Sequence, residues 1–447
     1  MKHCISVGRA AAAILALAMS WEPQLRAAAP QVDGPYLLHR EVESLWGGHT
    51  FSYLIQGERG VFWAARDPST PPHRVMLGQH PLPGSNLPVC VRRLDFSAPG
   101  VQAVNPPQLI RTPDGYLHAF VGVTVTDPEA KFTSGRLRYW RSRTPEDCSA
   151  WEDRSDLIPR EPFGDFHLRM NVGISVDGRR LALPVLAISK DNSVKFNTPV
   201  VFLAERDGLD FRFQPPRQYT EPTGLFYPQV ACTRDSVVIV GQNWTDFHLD
   251  KKVGTALFHL DMQGKLLHRE EWKPEAEGAL VCHDMRPEEW NDFSHLDLYL
   301  TYTPANQSGC RHDFYRYESH DQRLVQLKSV PVEYSQSNAG KWLAAPQQEA
   351  VFVNNPSMSK LVLWPASKNG ITDTAWQPMP QGDPLELGYA ASSYILSPNA
   401  LTGSLIDPGY FLIATDALHS NVPSEPGRIR AASLLLWRIS WQRTVKQ

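Results

Sequence analysis

Seven polar side chains recur along the chain at nearly even intervals, and their types suit proton transfer and the binding of a carboxylate. They are His49, Asn105, Arg169, Tyr227, His283, Lys341 and Tyr389, separated by 56, 64, 58, 56, 58 and 48 residues. An imidazole or a phenol can accept a proton, and a guanidinium offers a planar fork that matches a carboxylate. Residues so far apart act together only if a repeated fold gathers them at one place.

Neighbouring polar residues join this set, and carboxylates are scarce among them. The additional candidates are His167, Asn171, Gln229, Asn338, Asp284 and Glu386. Glycoside hydrolysis needs two facing carboxyl groups, for which only Asp284 and Glu386 are available. Elimination from a uronate instead needs a base for the proton beside the carboxylate, and a cation or amide that stabilises the developing enolate. The inventory therefore favours a polysaccharide lyase over a hydrolase.

Each candidate receives a role under this hypothesis. Tyr227 or His283 is the base, Arg169 neutralises the carboxylate, and Asn105 or Asn171 assists. The remaining substrate-binding candidates are His49, His167, Gln229, Lys341 and Tyr389.

Structural roles compete with each of these assignments. Arg169 could form an ion pair between repeats, Tyr227 could pack at a strand start, and His283 could be a buried structural histidine beside Cys282. His118 alternates with apolar neighbours, which favours packing over chemistry. A binding protein without catalysis thus remains the alternative function.

A recurring hairpin explains the spacing. The segment 224–244 holds an apolar run, a Thr-Arg-Asp turn and a second, β-branched run, which is typical of a β-hairpin. Similar segments stand at 105–124 and 170–188. A period of about 57 residues with three to four strands per unit predicts an all-β β-propeller. We expect seven four-stranded blades, with six or eight possible, and a lone strand at 36–41; a two-domain β-sandwich is the rival.

Two further segments indicate where the outer strands of a blade turn. Residues 142–151 and 367–376 both begin with Ser and end with Trp nine residues later. They resemble, in degenerate form, the Asp-box of sialidase-like propellers, a turn whose Trp packs between blades. This resemblance concerns the fold and not catalysis.

Four short segments resemble the BNR-repeat propeller families that include ulvan and rhamnose-glucuronate lyases. They are SLWGGHTFSYLI (44–55), TPDGYLHAFVG (112–122), GRLRYWRSRTPED (135–147) and LFYPQV (225–230). The resemblance implies a propeller acting on an acidic polysaccharide. Where those families have a His-Asn-like dipeptide this chain has Val104-Asn105, and their second histidine falls near Thr124. Both family histidines are therefore replaced, which favours the binding-only alternative.

Composition and the N-terminal residues indicate which partners and which cellular location to expect. The 447 residues carry a formal net charge of -3 with no basic stripe, so nucleic acid is not an expected partner. A basic start, the apolar stretch 10–19 and the small residues 27–29 predict a signal peptide over residues 1–29, with an uncleaved anchor as the alternative. We expect one propeller over residues 30–447, secreted or periplasmic, monomeric and not membrane-bound after cleavage.

Cysteine spacing permits disulfides but no zinc site. Outside the signal the chain has Cys90, Cys148, Cys232, Cys282 and Cys310. Cys282 with Cys310 is the favoured pair, and Cys90 with Cys148 is the second. Cys232 is expected to pack as a small apolar side chain. The sequence predicts no metal and no cofactor.

Overall fold

The structure, a computed structural model, describes most of the chain in segments. They are residues 30–43, 54–68, 74–97, 101–105, 107–126, 133–159, 166–167, 171–187, 198–221, 224–244, 252–273, 278–304, 310–332, 341–344, 350–357, 360–366, 385–386, 398–405, 410–415 and 431–441. Contacts divide the chain into a small unit, Met1–Gln31 with Ser440–Gln447, and a large unit, Val32–Ile439. The small unit lies almost entirely outside the described residues, as does the predicted signal peptide.

Thirty strands and two short 3-10 helices make up the described chain, and the strands form antiparallel repeats that we call blades. Blade 1 contains β2 (Leu54–Gln56), β3 (Gly60–Arg66), β4 (Arg74–Pro81) and β5 (Cys90–Asp95). Blade 2 contains β6 (Val101–Val104), β7 (Gln108–Arg111), β8 (Leu117–Thr126), β9 (Thr133–Ser142) and β10 (Trp151–Asp153), followed by η1 (Ser155–Leu157). Blade 3 contains β11 (Phe166–His167), β12 (Gly173–Ile174), β13 (Arg180–Ala187), β14 (Thr198–Asp207), β15 (Asp210–Phe213) and β16 (Arg217–Gln218).

The second half of the chain repeats the pattern. Blade 4 contains β17 (Gly224–Cys232), β18 (Ser236–Trp244), β19 (Lys252–Asp261) and β20 (Leu266–Trp272). Blade 5 contains β21 (Gly278–Glu289), β22 (Asp292–Pro304), β23 (Cys310–Glu318) and β24 (Arg323–Val332). Blade 6 contains β25 (Lys341–Ala344), β26 (Ala350–Ser357), β27 (Lys360–Ala366) and β28 (Leu385–Glu386). Blade 7 contains β29 (Tyr410–Thr415), β30 (Ala431–Trp441) and the N-terminal β1 (Pro30–Glu43), and η2 (Ala400–Thr402) precedes it.

The predicted β-propeller fold is confirmed. The described strands form six hydrogen-bonded sheets, and the largest, of eight strands, joins blades 4 and 5 through two parallel residue pairs between β19 and β21. The number of sheets, six, lies within the predicted range of six to eight blades. If the eight-stranded sheet is divided between β19 and β21, the number of units is seven, as expected. The segment 36–41 is not a lone strand, because β1 pairs with β30 and so joins the N-terminal strand to the C-terminal sheet. This pairing leaves fewer strand edges exposed.

Continuous apolar runs explain why the central strands form. Residues 237–240 of β18 are all fully buried, since both faces of this strand are covered. Buried side chains of neighbouring blades form four clusters, one spanning blades 7, 1 and 2 and the others spanning blades 2–3, 3–4 and 4–5. Cys232 packs in the third cluster, as expected.

The first predicted Asp-box forms the turn between the outer strands β9 and β10. Asp147 accepts hydrogen bonds from Thr144 Oγ1 at 2.9 Å and from Ser149 N at 2.8 Å. Trp151 donates from Nε1 to Cys148 O at 2.9 Å and packs against the cluster of blades 7, 1 and 2. The second box, 367–376, lies outside the described residues.

The same turn carries a carboxylate that ties blade 2 to blade 1. Glu146 is buried and accepts three hydrogen bonds: from Glu58 N and Arg59 N at 2.7 Å each, and from Arg111 Nε at 2.8 Å. These three donors compensate for the loss of water around the buried carboxylate. We call this group the Glu146 clamp.

Candidate functional site

The first strands of blades 2 to 5 are each interrupted part-way along. In blade 2, β6 and β7 both pair with β8, and residues 105–107 separate them. In blade 3, β11 and β12 both pair with β13, with 168–172 between them. In blade 4, the register of β17 shifts between Phe226 and Gln229. In blade 5, the register of β21 shifts between Cys282 and Asp284. We call these four positions the inner-strand breaks.

Such breaks turn side chains away from the regular alternation of a strand. An irregularity of this kind leaves a residue outside the ladder and re-aims its neighbours, and it recurs beside functional sites. Asn105, Tyr227 and His283 lie in three of the breaks, and Arg169 and Asn171 lie in the sequence of the fourth. Three of the seven evenly spaced residues thus coincide with a repeated backbone feature.

The structure brings two of the predicted residues into contact. Asn171 and Gln229 are both buried, and Asn171 Nδ2 donates to Gln229 Oε1 at 3.3 Å. Asn171 Oδ1 also accepts from Val172 N at 2.8 Å, which fixes the orientation of the amide. The contact joins the breaks of blades 3 and 4. Asn105 is partly exposed, and its backbone N–H donates to Gly122 O at 2.7 Å.

Several predicted residues are described only in part. For His167, Tyr227, His283, Lys341 and Glu386 the structure describes the backbone, which places them in β11, β17, β21, β25 and β28. His49, Arg169, Asn338 and Tyr389 lie outside the described residues. Their roles stay predictions.

Asp284, one of two carboxylates considered for hydrolysis, forms a buried ion pair. Its Oδ2 lies 2.9 Å from Arg286 Nε, and both side chains are almost fully buried. Arg286 Nη1 in turn donates to Pro398 O at 2.6 Å. The pair holds blade 5 to the segment 398–405, so Asp284 has a structural role here.

The segment 398–405 contacts the inner strands of several blades, and we call it the channel segment. Asn399 Nδ2 donates to Met285 O at 2.9 Å in blade 5, and Leu405 N donates to Gln56 O at 2.8 Å in blade 1. Gly403 approaches blade 2 so closely that an added Cβ would lie 1.8 Å from Arg111 O. The 3-10 helix η2 also lies against β12 and β17 of blades 3 and 4.

Sequence reasoning missed the channel segment, although a local signal was present. Asn399 caps η2 by accepting a hydrogen bond from Leu401 N at 3.0 Å, and Gly403 ends it in the left-handed conformation with φ 79°. Asn before and Gly after a short apolar run mark such a capped turn. What the pattern could not indicate was its contact with five different blades.

Buried histidines elsewhere belong to the packing. His118 Nδ1 lies 2.8 Å from Tyr139 Oη, and His259 Nδ1 lies 2.8 Å from Tyr317 Oη. Burial, reinforced by the charges of Arg206 and Arg141, lowers the pKa of His118 to about 3. Burial and nearby His268 lower the pKa of His259 to about 4. The structural interpretation of His118 is confirmed.

A cavity of about 800 Å³ lies at the first turns of blades 3, 4 and 5. Its lining combines hydroxyls, carboxylates and an arginine, including Ser175, Asp177, Arg234, Asp235 and Asp292. The cavity lies at the turns that follow the inner strands and not at the inner-strand breaks. It therefore does not contain the predicted site residues.

No three His, Cys, Asp or Glu side chains in the described part of the chain are arranged to hold a metal ion. None of the helices within the described residues is long and apolar enough to cross a membrane.

Comparisons with known proteins bear on the fold. Searches against protein families and against curated proteins found no match. Among solved structures, polysaccharide lyase Uly1 is similar with a TM-score of 0.50 and 10% identity, over 90% of this chain and 93% of that chain. A protein of unknown function from Dyadobacter fermentans has a TM-score of 0.45 and 12% identity, over 94% and 100% of the two chains. The periplasmic gluconolactonase PpgL of Pseudomonas aeruginosa has a TM-score of 0.44 and 14% identity, over 75% and 85%. The sequence-based resemblance to the lyase-type propellers is thereby confirmed as a likeness of fold.

Proposed function

We propose that this protein is an exported, carbohydrate-active propeller that cleaves a uronate-containing polysaccharide by β-elimination. The observation that carries the proposal is the coincidence of Asn105, Tyr227, His283 and the segment around Arg169 with the inner-strand breaks. Breaks in successive inner strands give a concave site lined by groups from distant parts of the chain. The fold shared with polysaccharide lyase Uly1 is consistent with this proposal.

In the proposed reaction, a base removes the proton beside the uronate carboxylate and the glycosidic oxygen then leaves. Tyr227 or His283 takes the proton, and Arg169 binds the carboxylate through its planar fork. The Asn171 amide, held by Val172 N and Gln229, is oriented to assist as the enolate develops. His49, Asn105, His167, Lys341 and Tyr389 bind the flanking sugars.

The charge distribution at the described breaks favours elimination over hydrolysis. Hydrolysis needs a pair of carboxyl groups, one of them protonated. Asp284 is committed to Arg286 at 2.9 Å, whereas the described amides at the breaks carry no charge and suit hydroxyl and carboxylate ligands. A glycoside hydrolase of the same fold is therefore the weaker alternative.

A second function, glycan binding without catalysis, is favoured by one specific observation. Val104 stands where the lyase families have a histidine, and it is fully buried and paired with Val123 in the sheet. An aliphatic side chain there supplies no proton transfer. Under this alternative the same site recognises an acidic glycan and releases it unchanged.

Purified protein incubated with a panel of acidic polysaccharides separates the two functions. A lyase produces unsaturated uronates, detected by their ultraviolet absorbance, and Arg169→Ala or Tyr227→Phe should abolish the signal. Arg212→Ala, an exposed site on the outer strand β15, is the matched control and should leave the rate unchanged. Glycan retention without any absorbance gain would establish the binding function, and full activity of both site variants would refute the assigned site.

Export is part of the proposal and has its own test. Residues 1–29 should be absent from the mature chain, which N-terminal sequencing of the protein from a secreting host would show. An intact N-terminus with the protein retained in the cell would contradict it. Gel filtration of the mature protein tests the proposed monomer.

A further inference from the structure

Two cysteines from different blades meet at the junction of blades 1 and 2. Cys90 begins β5, the outer strand of blade 1, and Cys148 lies in the Asp-box turn between β9 and β10 of blade 2. Cys148 Sγ lies 3.7 Å from Cys90 O, so the buried sulfur stands directly against the residue that carries the second thiol. Both are present as thiols.

The surrounding hydrogen bonds fix this approach. The backbone N–H of Cys148 donates to Gln79 Oε1 at 2.7 Å, and Gln79 is the direct cross-strand partner of Cys90. Gln79 Nε2 donates to Pro88 O at 2.8 Å, and Trp151 Nε1 donates to Cys148 O at 2.9 Å. The backbone N–H of Cys148 is therefore held against the strand pair that carries Cys90, and its carbonyl is fixed by Trp151 of its own blade. A disulfide needs two cysteines that are held near each other, and these contacts keep Cys148 beside the strand that carries Cys90.

We propose that Cys90 and Cys148 form a disulfide that locks blade 2 to blade 1 when the protein meets a small-molecule or protein disulfide. The exchange is balanced: the oxidant's S–S bond breaks, the new S–S bond forms, and the two thiol protons end on the two released thiols. No other reagent is needed.

The two sulfurs have different roles in that exchange. Cys90 is partly exposed, whereas Cys148 is 1% exposed. Cys90 therefore attacks the oxidant first, releasing one thiol and forming a mixed disulfide. Cys148 then attacks the Cys90 sulfur and displaces the second thiol. Burial raises the pKa of the Cys148 thiol, so this second step accelerates as pH rises.

The remaining described cysteines do not offer an equivalent pair. Cys232 is fully buried in the core shared by blades 3 and 4. The favoured sequence pair, Cys282 with Cys310, stays a prediction because the side chain of Cys310 lies outside the described residues. The second sequence pair is the one that the structure supports.

The test uses the full-length folded protein, first reduced and then incubated with oxidised glutathione. After acid quenching, alkylation and proteolysis, we expect one linked peptide pair joining Cys90 and Cys148 and the loss of two titratable thiols. The bond spans 58 residues, so the oxidised form should also melt several degrees higher. Recovery of both cysteines as separate alkylated peptides from the oxidised, folded protein would overturn the proposal.

Single variants test the order of the two steps. Cys148→Ser should trap glutathione on Cys90 as a stable mixed disulfide, because no second sulfur displaces it. Cys90→Ser should leave Cys148 unmodified, since the buried thiol does not reach the oxidant. Cys232→Ala is the matched control and should form the Cys90–Cys148 bond at the wild-type rate. Glutathione on Cys148 in the Cys90→Ser protein would refute the assigned order.

Discussion

The junction of blades 1 and 2 and the junction of blades 3 and 4 both contain buried polar contacts, but of opposite kinds. At the first, the carboxylate of Glu146 binds two backbone N–H groups and Arg111. At the second, the neutral amides of Asn171 and Gln229 share one hydrogen bond of 3.3 Å. A buried charge depends on each of its donors to offset its desolvation, whereas two neutral amides join their blades through one weaker hydrogen bond. Loss of the first contact should therefore cost much more stability than loss of the second.

The largest expected effect is the loss of the Glu146 clamp. Glu146→Ala leaves two backbone N–H groups without their partner and the buried Arg111 charge largely uncompensated. Breaking a buried ion pair from one side costs about 3 to 5 kcal/mol of unfolding free energy, measurable by urea denaturation. Glu58 is the matched control: it is 72% exposed and lies 3.6 Å from the same Arg111, so Glu58→Ala should cost about 1 kcal/mol or less. If both variants lost the same unfolding free energy, the Glu146 clamp would not be a special contact between blades 1 and 2.

The channel segment comes next, because it also holds several blades. Gly403 has φ 79°, and an added Cβ would lie 1.8 Å from Arg111 O, so Gly403→Ala should cost about 3 kcal/mol and lower the melting temperature. Gly84 has a similar φ of 81° with nothing near the position of a Cβ. Gly84→Ala should therefore show only the cost of placing an alanine in the left-handed backbone conformation, about 1 kcal/mol. If the Gly403 variant were as stable as the Gly84 variant, the close packing of the channel segment against blade 2 would be refuted.

Blade 2 should also make the protein sensitive to acid. The pKa of His118 is about 3 in the folded chain against 6.5 ordinarily, so below pH 6.5 the unfolded chain binds a proton first. The stability that comes from keeping His118 neutral is complete above pH 6.5 and is lost as the pH falls toward 3. Between pH 7 and 4.5 we expect a loss of about 2 to 3 kcal/mol from this group.

Urea denaturation at the two pH values measures this loss. His118→Gln should flatten the pH dependence, while replacement of the exposed His320 by Gln should leave it as in the wild type. An unchanged slope in His118→Gln would assign the acid sensitivity to other groups, such as His259.

The smallest stability effect is expected at the candidate site itself. Asn171→Ala and Gln229→Ala should each cost about 1 kcal/mol, with a double-mutant coupling of about 0.5 to 1 kcal/mol. Glycan retention should nevertheless fall at least tenfold in either variant, because the amides contact the ligand under the proposed function. A large stability loss with unchanged glycan affinity would reverse the comparison and make these amides part of the scaffold.

Much of the fold could be predicted from the sequence, because strand formation depends on local patterns. The predicted hairpin 224–244 forms as β17 and β18, which pair antiparallel and have the same outer bounds. β-Branched runs between turn residues specify such strands within a few positions. The pairing of β1 with β30 was missed because its partners stand at opposite ends of the chain.

The candidate site was predictable only as a set of positions. The period marked Asn105, Tyr227 and His283, but it did not indicate that the strand ladder is interrupted at these residues. An interruption arises from the register of two strands, which depends on how both pack against the neighbouring blades. The contact between Asn171 and Gln229 likewise joins residues 58 positions apart.

The sequence by itself determined the all-β class, the repeat and the residue types available for chemistry, because these depend on local propensity and periodicity. Only the tertiary structure decided which polar groups hold the blades together and which remain at the inner-strand breaks. Arg286, the partner of Asp284, came to bind Pro398 O, and Cys148 came to lie against Cys90, through contacts between segments distant in sequence. Burial and partnership, which set the energetic role of a polar side chain, exist only once the blades have packed.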